Sequence, residues 1–281
     1  MAILSTKKRA IEYTLKYIFF SVLIIVLLFP SFYMVMKSLM TLQDANSTVV
    51  KLFPSKITFE NYSVFGEYAK YFLNSLVIVV INAVMMPLVT CVIAYPLARS
   101  DFHGKRFMFS LILATSMIPG AVLSIPQYQI FVRLRLTDTL ASQFVGSFFG
   151  GSGMQIFLAI QFMRAIPIEL DEAAKIDGAN KFRTFAEIVM PLCFNICAYL
   201  AVGMAIAKWN DFQGPLIYLH TDAKRTIAVA FYYHFGSSGD ASLLTNVKMA
   251  MAVCMTVFPA LLFFCFQRQM IGGIKIGAVK G

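Results

Sequence analysis

Residues Tyr71–Ala98 read YFLNSLVIVVINAVMMPLVTCVIAYPLA, 28 positions without an Asp, Glu, Lys, Arg or His. A helix rises about 1.5 Å per residue, so roughly 20 apolar residues cross a hydrocarbon core about 30 Å thick. Lipid gives the backbone no hydrogen-bond partners, so such a run becomes a helix or part of a closed barrel. Barrel strands are about 10 residues long and alternate in polarity. This run is too long for a strand and does not alternate, so it reads as a transmembrane helix.

Five more charge-free runs flank it: Tyr17–Met36, Phe107–Val132, Thr139–Met163, Ile188–Ala207 and Met249–Gln267. The expectation is an all-α polytopic membrane protein, a single transmembrane domain over residues 1–281 with six spans. A shorter apolar stretch, Thr226–Gly239, holds His234 and is expected to form part of an external loop. Composition agrees, with 59% hydrophobic and 14% charged residues against roughly 25% charged in soluble domains. The first run exceeds a signal-peptide core, and no small-x-small cleavage site follows it.

Six spans put both termini on one side. Lys7, Lys8, Arg9 and Lys16 flank the first run, and Arg99, Lys105 and Arg106 crowd the short 99–106 connection. Basic residues in short loops stay inside. The N-terminus, the 99–106 and 164–187 loops and the C-terminal tail are therefore expected in the cytoplasm, in a bacterial-type cell (inner) membrane. The net charge of +10 fits basic flanks on anionic lipid and gives no sign of nucleic acid.

Chemistry-bearing motifs are sparse. No G-x-x-x-x-G-K-[ST] sequence occurs, so the chain has no P-loop for ATP. His103, His220 and His234 are scattered, and no metal site is expected. Cys91, Cys193, Cys197, Cys254 and Cys265 fall in or beside the spans and read as packing residues without a disulfide. Gly146, Gly150, Gly151 and Gly153 suggest close helix packing or a break in the fourth span. Asn74, Asn82, Gln155 and Gln161 are amides within spans, either glue between helices or the lining of a polar pathway. Lys208 and Asp211 beside Trp209 read as an interface anchor with an ion pair.

Between the fourth and fifth runs the chain reads Pro167-Ile168-Glu169-Leu170-Asp171-Glu172-Ala173-Ala174-Lys175-Ile176-Asp177-Gly178-Ala179. Pro167 suits a first helical turn. The acids Glu169, Asp171 and Glu172 suit its positive end. Lys175 follows Asp171 by four and Glu172 by three, and Gly178 is a natural stop. A helix of about eleven residues is marginal alone in water, so it needs something to dock on.

Here a resemblance enters. Glu172-Ala173-Ala174, Gly178, then Ile188 and Pro191, resemble the EAA loop of binding-protein-dependent ATP-binding-cassette importers, E-A-A-x-x-x-G followed nine residues later by I-x-L-P, with Met190 in place of Leu. Phe72-Leu73-Asn74-Ser75-Leu76 is similar to the second-span start of sugar permeases. Trp209-Asn210-Asp211-Phe212 and the tail Gly277-Ala278-Val279-Lys280-Gly281 resemble the maltose-type inner-membrane subunit. The likeness covers nearly the whole chain.

What the resemblance implies is a non-catalytic permease subunit that moves a carbohydrate inward. Its partners would be a second permease, expected to be a different chain, two ATPase subunits holding ATP and Mg, and an extracytoplasmic solute-binding protein. Glu172, Ala173, Ala174, Asp177 and Gly178 would face the ATPase. Gly236, Ser237, Ser238 and Gly239 would form a loop reaching the binding protein. The tail, Gly277, Lys280 and Gly281, would enter the cleft between the ATPases, and its four glycines in Arg268–Gly281 argue against a continuous helix there. A permease for polyamines or another solute shares the EAA loop. An ion-coupled carrier would need charged or unwound midplane residues and often inverted repeats, and neither is evident.

Overall fold

The computed structural model describes the backbone of residues 2–236 and 244–278 and the side chains of 12–236 and 244–267. Among the described residues there is no strand, and the long apolar segments are helical, as lipid demands. In chain order these are α1 (Ala2–Ser38), α2 (Leu42–Ala45), α3 (Phe65–Arg99), α4 (Lys105–Thr115), α5 (Gly120–Arg133), α6 (Gly153–Ala165) and α7 (Glu169–Ile176). There follow α8 (Lys181–Thr184), α9 (Met190–Leu192), α10 (Phe194–Trp209), α11 (Gln213–Tyr218), α12 (Ile227–Phe235) and α13 (Thr245–Ala278).

Three segments are long and apolar enough to cross a membrane unaided: Glu12–Ser38, Glu60–Arg99 and Thr245–Gln267. They contain the expected runs at 17–36, 71–98 and 249–267. The other three runs are not single helices, and six crossings result only if each bent pair counts as one. The run 107–132 is α4 and α5, bent by 97°. The break falls before Pro119, which lacks an N–H and drives the preceding residue out of the α region. The run 139–163 holds two 3₁₀ turns, Leu140–Gln143 and Val145–Phe149, before α6. With 13 residues, α6 is about 20 Å long, and it bends by 71° into α7. Its start is set by a capping box in which Ser152 and Gln155 satisfy each other's backbone. The run 188–207 starts early, at α8, passes through a π turn at Phe185–Val189, and bends by 70° at Cys193, just after Pro191.

Two further expectations fail. Thr226–Gly239 is not an external loop over its length. Residues 227–235 form α12, with Ile227, Val229 and Ala230 fully buried. An apolar stretch too short to span can still be a core helix. The tail is helical through Gly272, Gly273 and Gly277, since α13 runs to Ala278. Each interior glycine costs a helix only about 1 kcal/mol, which a long apolar helix already under way can absorb.

The packing resolves into two units, residues 1–67 with 233–257, and residues 68–232 with 258–281. In the first, a short polar core joins the end of α1 to the start of α13. Asn61 donates to the carbonyls of Ser38 (2.8 Å) and Met40 (2.9 Å) and accepts from Asn246 Nδ2 at 2.8 Å. Buried Asp44 accepts from Lys51 Nζ at 2.6 Å and from the Ser55 N–H and hydroxyl. These bonds, Lys51 first, hold its carboxyl below the usual range. The apolar side chains of α1 from Tyr17 to Phe29 are exposed, as expected of a surface meant for lipid or another chain.

In the second unit the core gathers Met86, Cys91, Ala94, Leu97, Ile160, Met163, Val189 and Cys193. Trp209 is buried rather than anchored at an interface, stacked on Phe258 with ring centroids 4.2 Å apart. Lys208 does reach Asp211, at 3.2 Å. The five cysteines are free, with Cys91 and Cys197 sulfurs 3.4 Å apart. Away from the spans, Asp138 accepts from Thr221 Oγ1 and N–H, His220 N–H and Lys224 Nζ. The Thr221 hydroxyl first among these, they hold its carboxyl far below the usual range.

Gly153 shows the close packing that the glycine cluster suggested. A Cβ there would overlap the Ile112 carbonyl oxygen and Ser116 Oγ of the neighbouring helix. Gly153→Val is expected to lower stability by about 1–3 kcal/mol through overpacking. Gly203→Ala, whose added carbon meets nothing within 4 Å, should leave stability equal or slightly raised. Thermal unfolding in detergent compares the two.

Candidate coupling site

The EAA segment folds as the sequence suggests, but shorter: α7 has 8 residues, not about eleven. Its C-terminus is a Schellman motif. Ala179 N–H donates to the Ala174 carbonyl at 2.9 Å, and Gly178 N–H to that of Lys175 at 3.1 Å. Gly178 has φ +79° and open space around its α-carbon, so glycine is there for its backbone, not for a close contact.

The faces of α7 separate the expected site residues. Glu172, Ala173, Asp177 and Gly178 are exposed. Ala174 is not part of that surface: it is 4% exposed and packs inward. The physical reason is the helical period, which turns position 174 toward the chain's own core while 172, 173 and 176 share the outer face. Ile176, 86% exposed, stands on that face, and Phe182 of α8, 77% exposed, is a second bare apolar side chain beyond the Gly178 turn. Sequence reasoning passed over both. The available signal was helical spacing, since Ile176 lies four after Glu172 and three after Ala173.

Asp171 also departs from expectation. Lys175 makes no ion pair among the described residues, and Asp171 pairs instead with Arg99, the last residue of α3, at 3.4 Å (Nε to Oδ2). The two side chains are 6% and 17% exposed. Arg99 Nε and Nη2 and Asp171 Oδ1 are buried without hydrogen bonds among the described residues. Two charges are thus held in contact in a dry place without the paired fork that guanidinium and carboxylate can form. Above them Tyr95 packs on Phe185, ring centroids 4.9 Å apart, which ties the α3 end to the π turn. A displacement of α7 therefore meets α3 through Arg99, α6 through the 166–168 link, and α8 through the Gly178 turn. Arg99 stood out in the sequence only as a basic flank.

The remaining candidates do not assemble around α7. Asn74 Nδ2 donates to the carbonyls of Ala223 and Arg225, both at 2.9 Å. Asn82, 2% exposed, donates to those of Ile78 (2.7 Å) and Gln143 (3.2 Å). Gln155 Oε1 accepts the Ser152 N–H at 2.7 Å. These three amides hold backbone in place. Gln161 is exposed and makes no hydrogen bond among the described residues. Gly236 closes α12 as a turn, while Ser237, Ser238 and Gly239 lie outside the described residues, as do Lys280 and Gly281; Gly277 is within α13.

Comparison with known proteins bears directly on this arrangement. Residues 88–275, which include α7 and Arg99, match the family model described as binding-protein-dependent transport system inner membrane component. An arabinooligosaccharides transport system permease protein of Halalkalibacterium halodurans is 31% identical over 239 residues, covering 81% of each chain. A melibiose/raffinose/stachyose import permease protein of Bacillus subtilis is 31% identical over 82% of this chain and 84% of its own. A trehalose transport system permease protein of Mycobacterium tuberculosis is also 31% identical, over 82% and 85%. The fold is similar to a chain in the crystal structure of a bacterial ABC transporter involved in the import of the acidic polysaccharide alginate. The TM-score is 0.81 and the identity 19%, with 92% of this chain and 96% of that one covered. The chain belongs to the family of binding-protein-dependent transport system inner membrane components.

Proposed function

We propose that this chain is a carbohydrate permease and that its cargo is an oligosaccharide. The observation that carries this reading is the likeness, over four fifths of the chain, to permeases named for arabinooligosaccharides, for melibiose, raffinose and stachyose, and for trehalose. The chain itself is a non-catalytic membrane subunit, and ATP hydrolysis belongs to a separate ATPase subunit. In this reading, two ATPase subunits with ATP and Mg dock on the outer face of α7 from the cytoplasm, where both termini also lie. The exposed Glu172 and Ile176 supply a charge and an apolar knob for that contact. A second, different permease chain completes the pathway, and a solute-binding protein delivers the sugar from outside. Closure of the ATPases pushes α7, and the pair Arg99–Asp171 passes the push to α3, a rigid-body switch between two accessible states. The whole chain acts as one permease domain.

The test is uptake by vesicles holding the reconstituted importer with its binding protein. The reading expects ATP-dependent accumulation of raffinose or another oligosaccharide and none of spermidine. Uptake of spermidine without any sugar would overturn it.

A further inference from the structure

The first unit contains a cavity of about 320 Å³ between the 41–61 segment and the start of α13. That volume is at the small end of the roughly 300–1,000 Å³ usual for ligand sites. Its wall includes Thr41, Lys56, Thr58, Glu60 and Asn246. Several of their polar atoms are unspent. Asn246 is 4% exposed and donates to Asn61 Oδ1 and the Met40 carbonyl, while its own Oδ1 is buried with no partner among the described residues. Such an oxygen is costly to leave bare and favours a donor brought in from outside. Thr41 Oγ1 and Thr58 Oγ1 each accept a backbone N–H, from Asp44 and Glu60, which leaves each hydroxyl proton to donate. Lys56 and Glu60 are exposed on the rim and make no ion pair among the described residues.

The cavity therefore offers a cation and an anion of equal charge, two hydroxyl donors and one desolvated acceptor, with Leu42 and Val247 as apolar lining. Balanced charge disfavours an ionic ligand. Donors and acceptors interleaved over a small apolar surface match a molecule with many hydroxyls on a C–H framework. We infer that this cavity is a subsite for a neutral polyhydroxylated ligand of one or two sugar rings, held between the Lys56–Glu60 rim and Asn246. It is distinct from the coupling site. It rests on the carbohydrate reading only for the identity of the sugar, since the donor pattern stands by itself.

The test uses the complete reconstituted importer and a diazirine derivative of methyl glucoside, with labelled peptides identified by mass spectrometry. Adducts are expected in residues 56–61 and 244–247 and should be competed by raffinose. In Lys56→Met/Glu60→Gln, two exposed changes that leave the polar core intact, labelling there should fall about tenfold, the equivalent of one charged hydrogen bond. Labelling confined to other segments, labelling that raffinose does not compete, or equal labelling in the variant would overturn the inference. Sugar uptake is measured on the same vesicles. Labelling without uptake would leave the cavity standing and refute the importer reading; uptake without labelling would do the reverse.

Discussion

Replacing Arg99 with methionine is expected to destabilise the protein by about 3–5 kcal/mol, the usual consequence of removing one member of a buried pair, and to abolish uptake. Asp171 would be left 17% exposed with neither oxygen paired. To regain hydration it must pull α7 off the bundle. Replacing both residues, Arg99→Met with Asp171→Leu, should recover most of the stability, because exchanging a buried ion pair for apolar contacts is often neutral or better. If the pair passes motion from α7 to α3, uptake should not recover to the same extent, since the double variant lacks that directional contact. Thermal unfolding and uptake, measured on wild type, single and double variants, separate a structural role from a coupling one. If uptake returns in step with stability, the pair is only a clamp.

The sequence was most informative where chemistry is repetitive and local. Tyr71–Ala98 lies within one helix although Pro87 and Pro96 each remove a backbone donor inside α3; the long apolar run outweighs them. Charge counting could not see the break at Pro119 or the bend at Cys193, since a bent pair and a straight span have the same composition. The proline before Gly120 and the Ser152–Gln155 box were readable signals that hydropathy outweighed. Around the coupling site, Gly178 was legible because a left-handed stop has a residue signature. The partner of Asp171 was not: a local rule pointed to Lys175, four residues on, while the structure joins it to Arg99, 72 positions away. Ala174 was misplaced for a similar reason, because a motif names residues together whereas a helix sends neighbours to different faces.

If the outer face of α7 receives the ATPase, a second large effect follows at Glu172. Glu172 is exposed in the first turn of α7, so Glu172→Lys should not disturb the fold, apart from the small loss of a favourable charge at a helix start, about 0.3–1 kcal/mol. At an interface, reversing a charge that has a partner costs on the order of 2–5 kcal/mol, enough to empty the contact. Ile176→Asp on the same face should act in the same direction. The most direct measurement is the number of ATP molecules hydrolysed per sugar imported by vesicles containing the Glu172→Lys complex. Uptake should be lost while the chain still inserts and unfolds at its normal temperature, with ATPase activity either released from the membrane or running without transport. Wild-type uptake at a wild-type ratio of ATP to sugar would contradict docking of the ATPase on this face.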